Sequence, residues 1–160
     1  MALQNKPARL AGVSALVAAL LLDLLSKGVA TANASTLSGG VPVFPGFNLI
    51  FLRNAGVSFG LFGQVPWWVL SLVALAVSLW IISMMWGAAR RSQAIACGLI
   101  AGGALGNVVD RVRYGAVTDF LDFYLGAYHW PAFNFADVAV VTGVALLVLL
   151  PIVLRRFRGS

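Results

Sequence analysis

Five aspartates carry all the carboxylate chemistry open to this chain: Asp23, Asp110, Asp119, Asp122 and Asp137, with no glutamate beside them. Asp119 stands in Gly115-Ala-Val-Thr-Asp119-Phe and Asp137 in Phe133-Asn134-Phe-Ala-Asp137, each between apolar neighbours. Two carboxylates brought within a few ångströms cannot both ionise easily and share a proton. The charged one activates water and the protonated one polarises a carbonyl, so a peptide bond can be hydrolysed without a metal or a covalent intermediate. Each aspartate also has a structural reading. Asp119 fits an ordinary interfacial loop. Asn134 can cap a helix, with Asp137 completing an acidic variant of the capping box. Asp122 lies one turn or one strand step beyond Asp119. Asp110 has Arg111 beside it and Asp23 has Lys27 one helical turn on, and cationic neighbours keep a carboxylate charged.

Other chemistries find no support. Cys97 and His129 belong to opposite ends of the chain's expected topology and cannot form a thiol protease. No Cys/His cluster offers a zinc site, and no glycine-rich phosphate loop follows a strand. No cofactor or metal is expected. A lone cysteine excludes an intramolecular disulfide.

These residues must be positioned by a membrane domain. Of 160 residues, 61% are hydrophobic and 10% charged, and the mean hydropathy is +0.93. A soluble domain is roughly half apolar and about a quarter charged, so lipid has to cover much of this surface. Apolar stretches at about 10–30, 66–89, 93–111 and 136–154 are each near the roughly 20 residues needed to cross a bilayer. The expected fold class is an all-α membrane protein, with four transmembrane helices and a small extracytoplasmic β-hairpin or cradle in the outer connection, about 41–63. There, Asn48 to Arg53 and Val57 to Phe62 read as strands around a turn at Asn54-Ala55-Gly56.

The net charge of +6 is concentrated in Lys6/Arg9, Arg90/Arg91 and Arg155/Arg156/Arg158, each cluster bordering an apolar stretch. This reads as topology and argues against nucleic-acid binding: both termini are cytoplasmic, and the connections 31–65 and 112–135 lie outside. Lys6/Arg9, an apolar run and Ala32-Asn33-Ala34 imitate a cleaved signal peptide, but Asp23 and Lys27 interrupt that pattern.

Gly98, Gly102 and Gly106 repeat at spacing four, the pattern for close helix packing. Beside them Gly103, Asn107, Asp110 and Arg111 recur at helical spacing, either as an interfacial Asp–Arg pair or as a polar scaffold for a substrate carbonyl. In this topology Asp23, Lys27, Asn54, Asn107, Arg111, Asp119, Asn134 and Asp137 all fall at one outer depth, which unrelated structural roles would not require. An ion path would need polar residues on both sides of the midplane, and the cytoplasmic halves are nearly free of them. A Ser–Lys protease using Ser26 or Ser58 with Lys27 stays open at this point.

The chain resembles the lipoprotein signal peptidases (signal peptidase II) over nearly its whole length. The resemblance lies in Asp23-x-x-x-Lys27, Asn54-Ala-Gly56-Val-Ser58-Phe-Gly60, Gly102-Gly-Ala-Leu-Gly-Asn107-Val-Val-Asp110-Arg111, Gly115-Ala-Val-Thr-Asp119-Phe and Phe133-Asn134-Phe-Ala-Asp137. It implies an aspartyl endopeptidase of the bacterial inner membrane that cuts a prolipoprotein before its diacylglyceryl cysteine. By that resemblance Asp119 and Asp137 match the catalytic pair. Asn54, Asn107, Arg111 and Asn134 match residues lining the substrate site, with Asp23, Lys27 and Gly103 in support. The implied partners are the lipidated signal peptide and membrane lipid, with the enzyme a monomer.

Overall fold

The computed structural model describes residues 6–56 and 65–156, the last six by backbone alone. Four long helices run through it: α1 (Lys6–Ala32), α3 (Trp67–Trp86), α4 (Arg91–Tyr114) and α5 (Phe135–Arg156). A short α2 (Ala34–Leu37) follows α1. Helices α1, α3 and α4 are long and apolar enough to cross a membrane, and α5 is apolar over Phe135–Leu150. Leu21, Leu22, Leu25, Leu72, Trp80, Val141 and Leu149 lie more than half exposed, as side chains facing lipid would be.

Helix α4 is central and touches α1, α3 and α5. Its glycines explain how. A Cβ on Gly98 or Gly102 would collide with the backbone of Gly12 or Leu16 in α1, and one on Gly103 with the Ala136 carbonyl of α5. Gly143 of α5 approaches Ala96 of α4 in the same way. Without a hydrophobic drive between helices in lipid, such backbone approach supplies the packing. The expected stripe of Gly98, Gly102 and Gly106 therefore faces α1. Gly106 has a further part: a Cβ there would overlap the Asp23 carboxylate. Its bare backbone makes the room in which that acid is buried.

The β structure begins where expected, with Asn48–Arg53 inside a strand, but it is larger than a hairpin and draws in the second connection as well. Strands β1 (Val41–Phe44), β2 (Phe47–Asn54), β3 (Val117–Leu125) and β4 (Tyr128–His129) pair antiparallel in that order. The tight turn is Pro45-Gly46, where proline fixes φ and Gly46 takes φ +94°. The second strand expected at 57–62 lies outside the described residues. Within them β2 pairs with β1 and with β3, so an all-α description is too narrow. Strand β3 also replaces much of the expected 112–135 connection. Its first six residues are all buried, because β2, α1 and the residues before α5 cover both faces. With no solvated face, the period-two signal that marks a strand was absent from the sequence.

Candidate active site

Asp119 sits on β3, opposite Leu52 of β2, and Asp137 in the first turn of α5. Both line one cleft of about 150 Å³, together with Asn54, Gly56, Asn107, Arg111 and Val117. Every oxygen of the two carboxylates accepts a hydrogen bond. Asn134 Nδ2 donates to Asp119 Oδ1 at 2.7 Å and Asn54 Nδ2 to Oδ2 at 3.0 Å. Asn107 Nδ2 donates to Asp137 Oδ1 at 3.0 Å and the Asn134 backbone N–H to Oδ2 at 3.1 Å.

The three asparagines are aimed by what their own oxygens accept. Asn54 Oδ1 takes the Gly56 N–H at 3.1 Å. Asn134 Oδ1 takes the Asp137 N–H at 3.0 Å. Asn107 Oδ1 takes Lys27 Nζ at 2.7 Å. A backbone N–H and an ammonium can only donate, so each amide must turn its NH₂ toward an aspartate. The capping reading of Asn134 and Asp137 is thus correct, since their side chains bond reciprocally across the start of α5. The same cap holds Asp137 and points Asn134 at Asp119.

Asp23 and Lys27 form the layer beneath. Both are almost wholly buried, and Lys27 Nζ lies 2.7 Å from Asp23 Oδ2 and 3.7 Å from Asp110 Oδ2. Asp23 Oδ1 accepts the Ala136 N–H at 2.9 Å, which satisfies a free amide in the first turn of α5. This cluster ties α1, α4 and α5 together and orients Asn107. It also removes the Ser–Lys alternative at Ser26, whose hydroxyl donates to its own Asp23 carbonyl at 2.9 Å while the lysine is engaged elsewhere. Ser58 lies outside the described residues.

The expected Asp110–Arg111 pair is not made. Successive helix residues project about 100° apart. Asp110 points to β3 and accepts the Thr118 N–H at 2.7 Å, whereas Arg111 points to the cleft and donates to the Gly56 carbonyl at 3.4 Å. Arg111 Nε is buried without a partner among the described residues. Gly103 contributes no polar contact and serves by letting α5 approach. Asp122 faces away from the cleft, as an odd step along a strand requires, and meets Asn48 and His129. Thr118 was not singled out in the sequence. It places Asp119 through three bonds: its N–H to Asp110, its hydroxyl to Arg53 at 2.5 Å and its carbonyl to Asn134 at 3.3 Å. Only the tertiary partners distinguish it from any strand threonine.

Burial pushes the Asp119 carboxyl up from 3.8 to about 6, and the negative charge of Asp137 adds to this, against the Asn54 and Asn134 hydrogen bonds. A group near 6 can hold or release a proton close to neutral pH. From the cleft a second, larger hollow of about 610 Å³ opens between α3, α4 and α5. Asn107, Arg111 and Asp137 stand at its polar end. Ala74, Ala104, Trp130, Pro131, Phe133 and several valines of α5 form its walls.

Long apolar helices, lipid-facing side chains and two carboxylates beside an apolar groove mark a multi-pass membrane protein with an acid pair at one end of its helices. The chain belongs to the signal peptidase (SPase) II family, whose profile it matches over residues 15–153. It is 45% identical over 135 residues to a lipoprotein signal peptidase of Polynucleobacter necessarius, covering 81% of each chain. With that of Nitratidesulfovibrio vulgaris it shares 44% identity over 84% of each. A bacterial membrane enzyme solved at 2.3 Å by the in meso method superposes with a TM-score of 0.77 at 25% identity, over 88% of this chain and 87% of the other. The protein is therefore a peptidase of the lipoprotein-processing family, held in a membrane.

Proposed function

We propose that Asp119 and Asp137 are the catalytic pair of an aspartyl endopeptidase that releases the signal peptide of diacylglyceryl-modified prolipoproteins, cutting before the lipidated cysteine. The observation that carries this reading is the shared cleft, in which both carboxylates are held by amide donors and one titrates near neutrality. Asp119 carries the proton and donates it toward the scissile carbonyl oxygen. Asp137, as the carboxylate, takes a proton from water as its oxygen attacks the carbonyl carbon. The tetrahedral intermediate collapses with cleavage of the C–N bond. The amine receives the proton held by Asp137, and Asp119 recovers its own from the intermediate's hydroxyl. Arg111 reaches the same cleft and is suited to hold a substrate carbonyl. The apolar groove takes the signal segment from lipid, so only the scissile bond meets water.

In this reading α5 is a fourth span and the enzyme works as a monomer in the bacterial inner membrane. Both termini are cytoplasmic and the sheet and cleft lie outside. The arginine distribution and the helices' alternating course support that orientation. An impermeant thiol reagent should label Ser38→Cys from outside and leave Ser92→Cys untouched; outside labelling at 92 would invert the topology. For the activity, purified enzyme is incubated with prolipoprotein carrying or lacking the diacylglycerol, and products are weighed by mass spectrometry. Cleavage of the lipidated form alone is expected. Equal cleavage of both forms removes lipid from recognition, and no cleavage of either refutes the reading.

A further inference from the structure

One wall of the groove follows directly on a very short strand. Trp130 and Pro131 follow β4, a strand of two residues whose ladder to β3 consists of Tyr124↔His129 and Leu125↔Tyr128. Strands this short do not hold their own position. The far end of the wall is fastened by Phe133, whose backbone exchanges bonds with Leu121 at 2.9 and 3.1 Å. The near end has the Trp130 N–H donating to the Phe123 carbonyl at 2.8 Å. A side-chain clip lies beside it: His129 Nδ1 is 2.9 and 3.0 Å from the two oxygens of Asp122. The acid is a firm anchor. It is 5% exposed, and Asn48 of the neighbouring strand donates to it at 3.0 Å. The imidazole stacks on Tyr124, with ring centroids 5.3 Å apart.

A buried carboxylate bonded on the side away from the cleft does nothing for the reacting atoms. Its partner, however, is the residue immediately before the groove wall. We propose that Asp122 and His129 are positioning residues for substrate binding: their clip fixes Trp130 and Pro131 against the apolar signal segment and leaves the chemical step untouched. This rests on the functional reading above, in which the groove holds that segment. An asparagine at 129 can place its amide NH₂ near the position of Nδ1 and keep the bond to Asp122, whereas alanine cannot.

The test joins kinetics to amide exchange in the full-length enzyme. With lipidated prolipoprotein, His129→Ala should raise KM about fivefold to tenfold, as expected from losing one hydrogen bond of a half-exposed side chain, with kcat within about twofold. His129→Asn should restore most of the loss. Without substrate, the backbone amides of 128–130 should exchange faster in His129→Ala than in the wild type, and at close to wild-type rates in His129→Asn. An unchanged KM, a fall confined to kcat, or unaltered exchange would overturn the proposal. A wild-type enzyme that cuts nothing refutes the functional reading instead, and exchange rates that do not change still refute the clip independently of any cleavage.

Discussion

Asp23 with Lys27 and Asp119 with Asp137 occupy the same end of the helices, yet they are built to opposite purposes. The first pair is closed. Acid and base are matched, almost wholly buried, and joined to Asn107 and the Ala136 N–H, and neither residue lines the cleft or the groove. The second pair is open. Both members are acids that compete for one charge, both line the cleft, and Asp137 also faces the groove. Neutralising a buried charge with its opposite gives a fixed scaffold, and placing like charges together gives groups that must titrate. The connection between them runs through Asn107, whose carbonyl faces the closed pair and whose NH₂ faces the open one.

The sharpest way to break this comparison is to remove a proton site from the open pair. Asp119→Asn and Asp137→Asn should each lower turnover about a thousandfold or more, with melting temperatures close to wild type. The double variant should be little worse than either, because the two act as a unit. Appreciable turnover by a folded single variant would end the dyad assignment.

Damage to the closed pair should appear as stability. Lys27→Met leaves Asp23 buried without its cation and should cost about 3–5 kcal/mol, read from denaturation in detergent. Replacing both residues, as in Asp23→Leu with Lys27→Met, should recover part of that loss while activity stays low, since Asn107 is no longer oriented. If Lys27→Met melts like wild type, the pair is no scaffold.

A smaller effect lies in pH. The folded-state value of Asp119, about 6, exceeds its ordinary 3.8. The native protein therefore binds more protons than the unfolded chain between about 4 and 6, and stability should fall as pH rises through that window. Asp119→Asn should remove this slope. Because the charge of Asp137 raises the value, Asp137→Asn should move the Asp119 midpoint downward, as followed by carboxyl infrared bands. An upward move would contradict the coupling. The smallest effect belongs to Ser26→Ala, expected to stay within about twofold of wild-type activity, since among the described residues that hydroxyl bonds its own helix.

The chain's composition and local pattern determined a good deal. Lipid burial, the long apolar stretches, the glycine stripe of α4 and the Asn134–Asp137 cap are all local properties, set by hydropathy and by residues three or four apart on one helix. The absence of glutamate narrowed the acids to five, and charge distribution gathered the polar residues at one depth. The tertiary structure decided which strands pair, because β2 and β3 are separated by two helices and their register depends on contacts far apart in sequence. It also parted Asp110 from Arg111, which adjacency in sequence had joined, by turning one to β3 and the other to the cleft. Most of all, it set the direction in which each asparagine donates. An amide donates in whichever direction its own oxygen is not held, and the donors that hold Asn54, Asn107 and Asn134 are fixed by the fold.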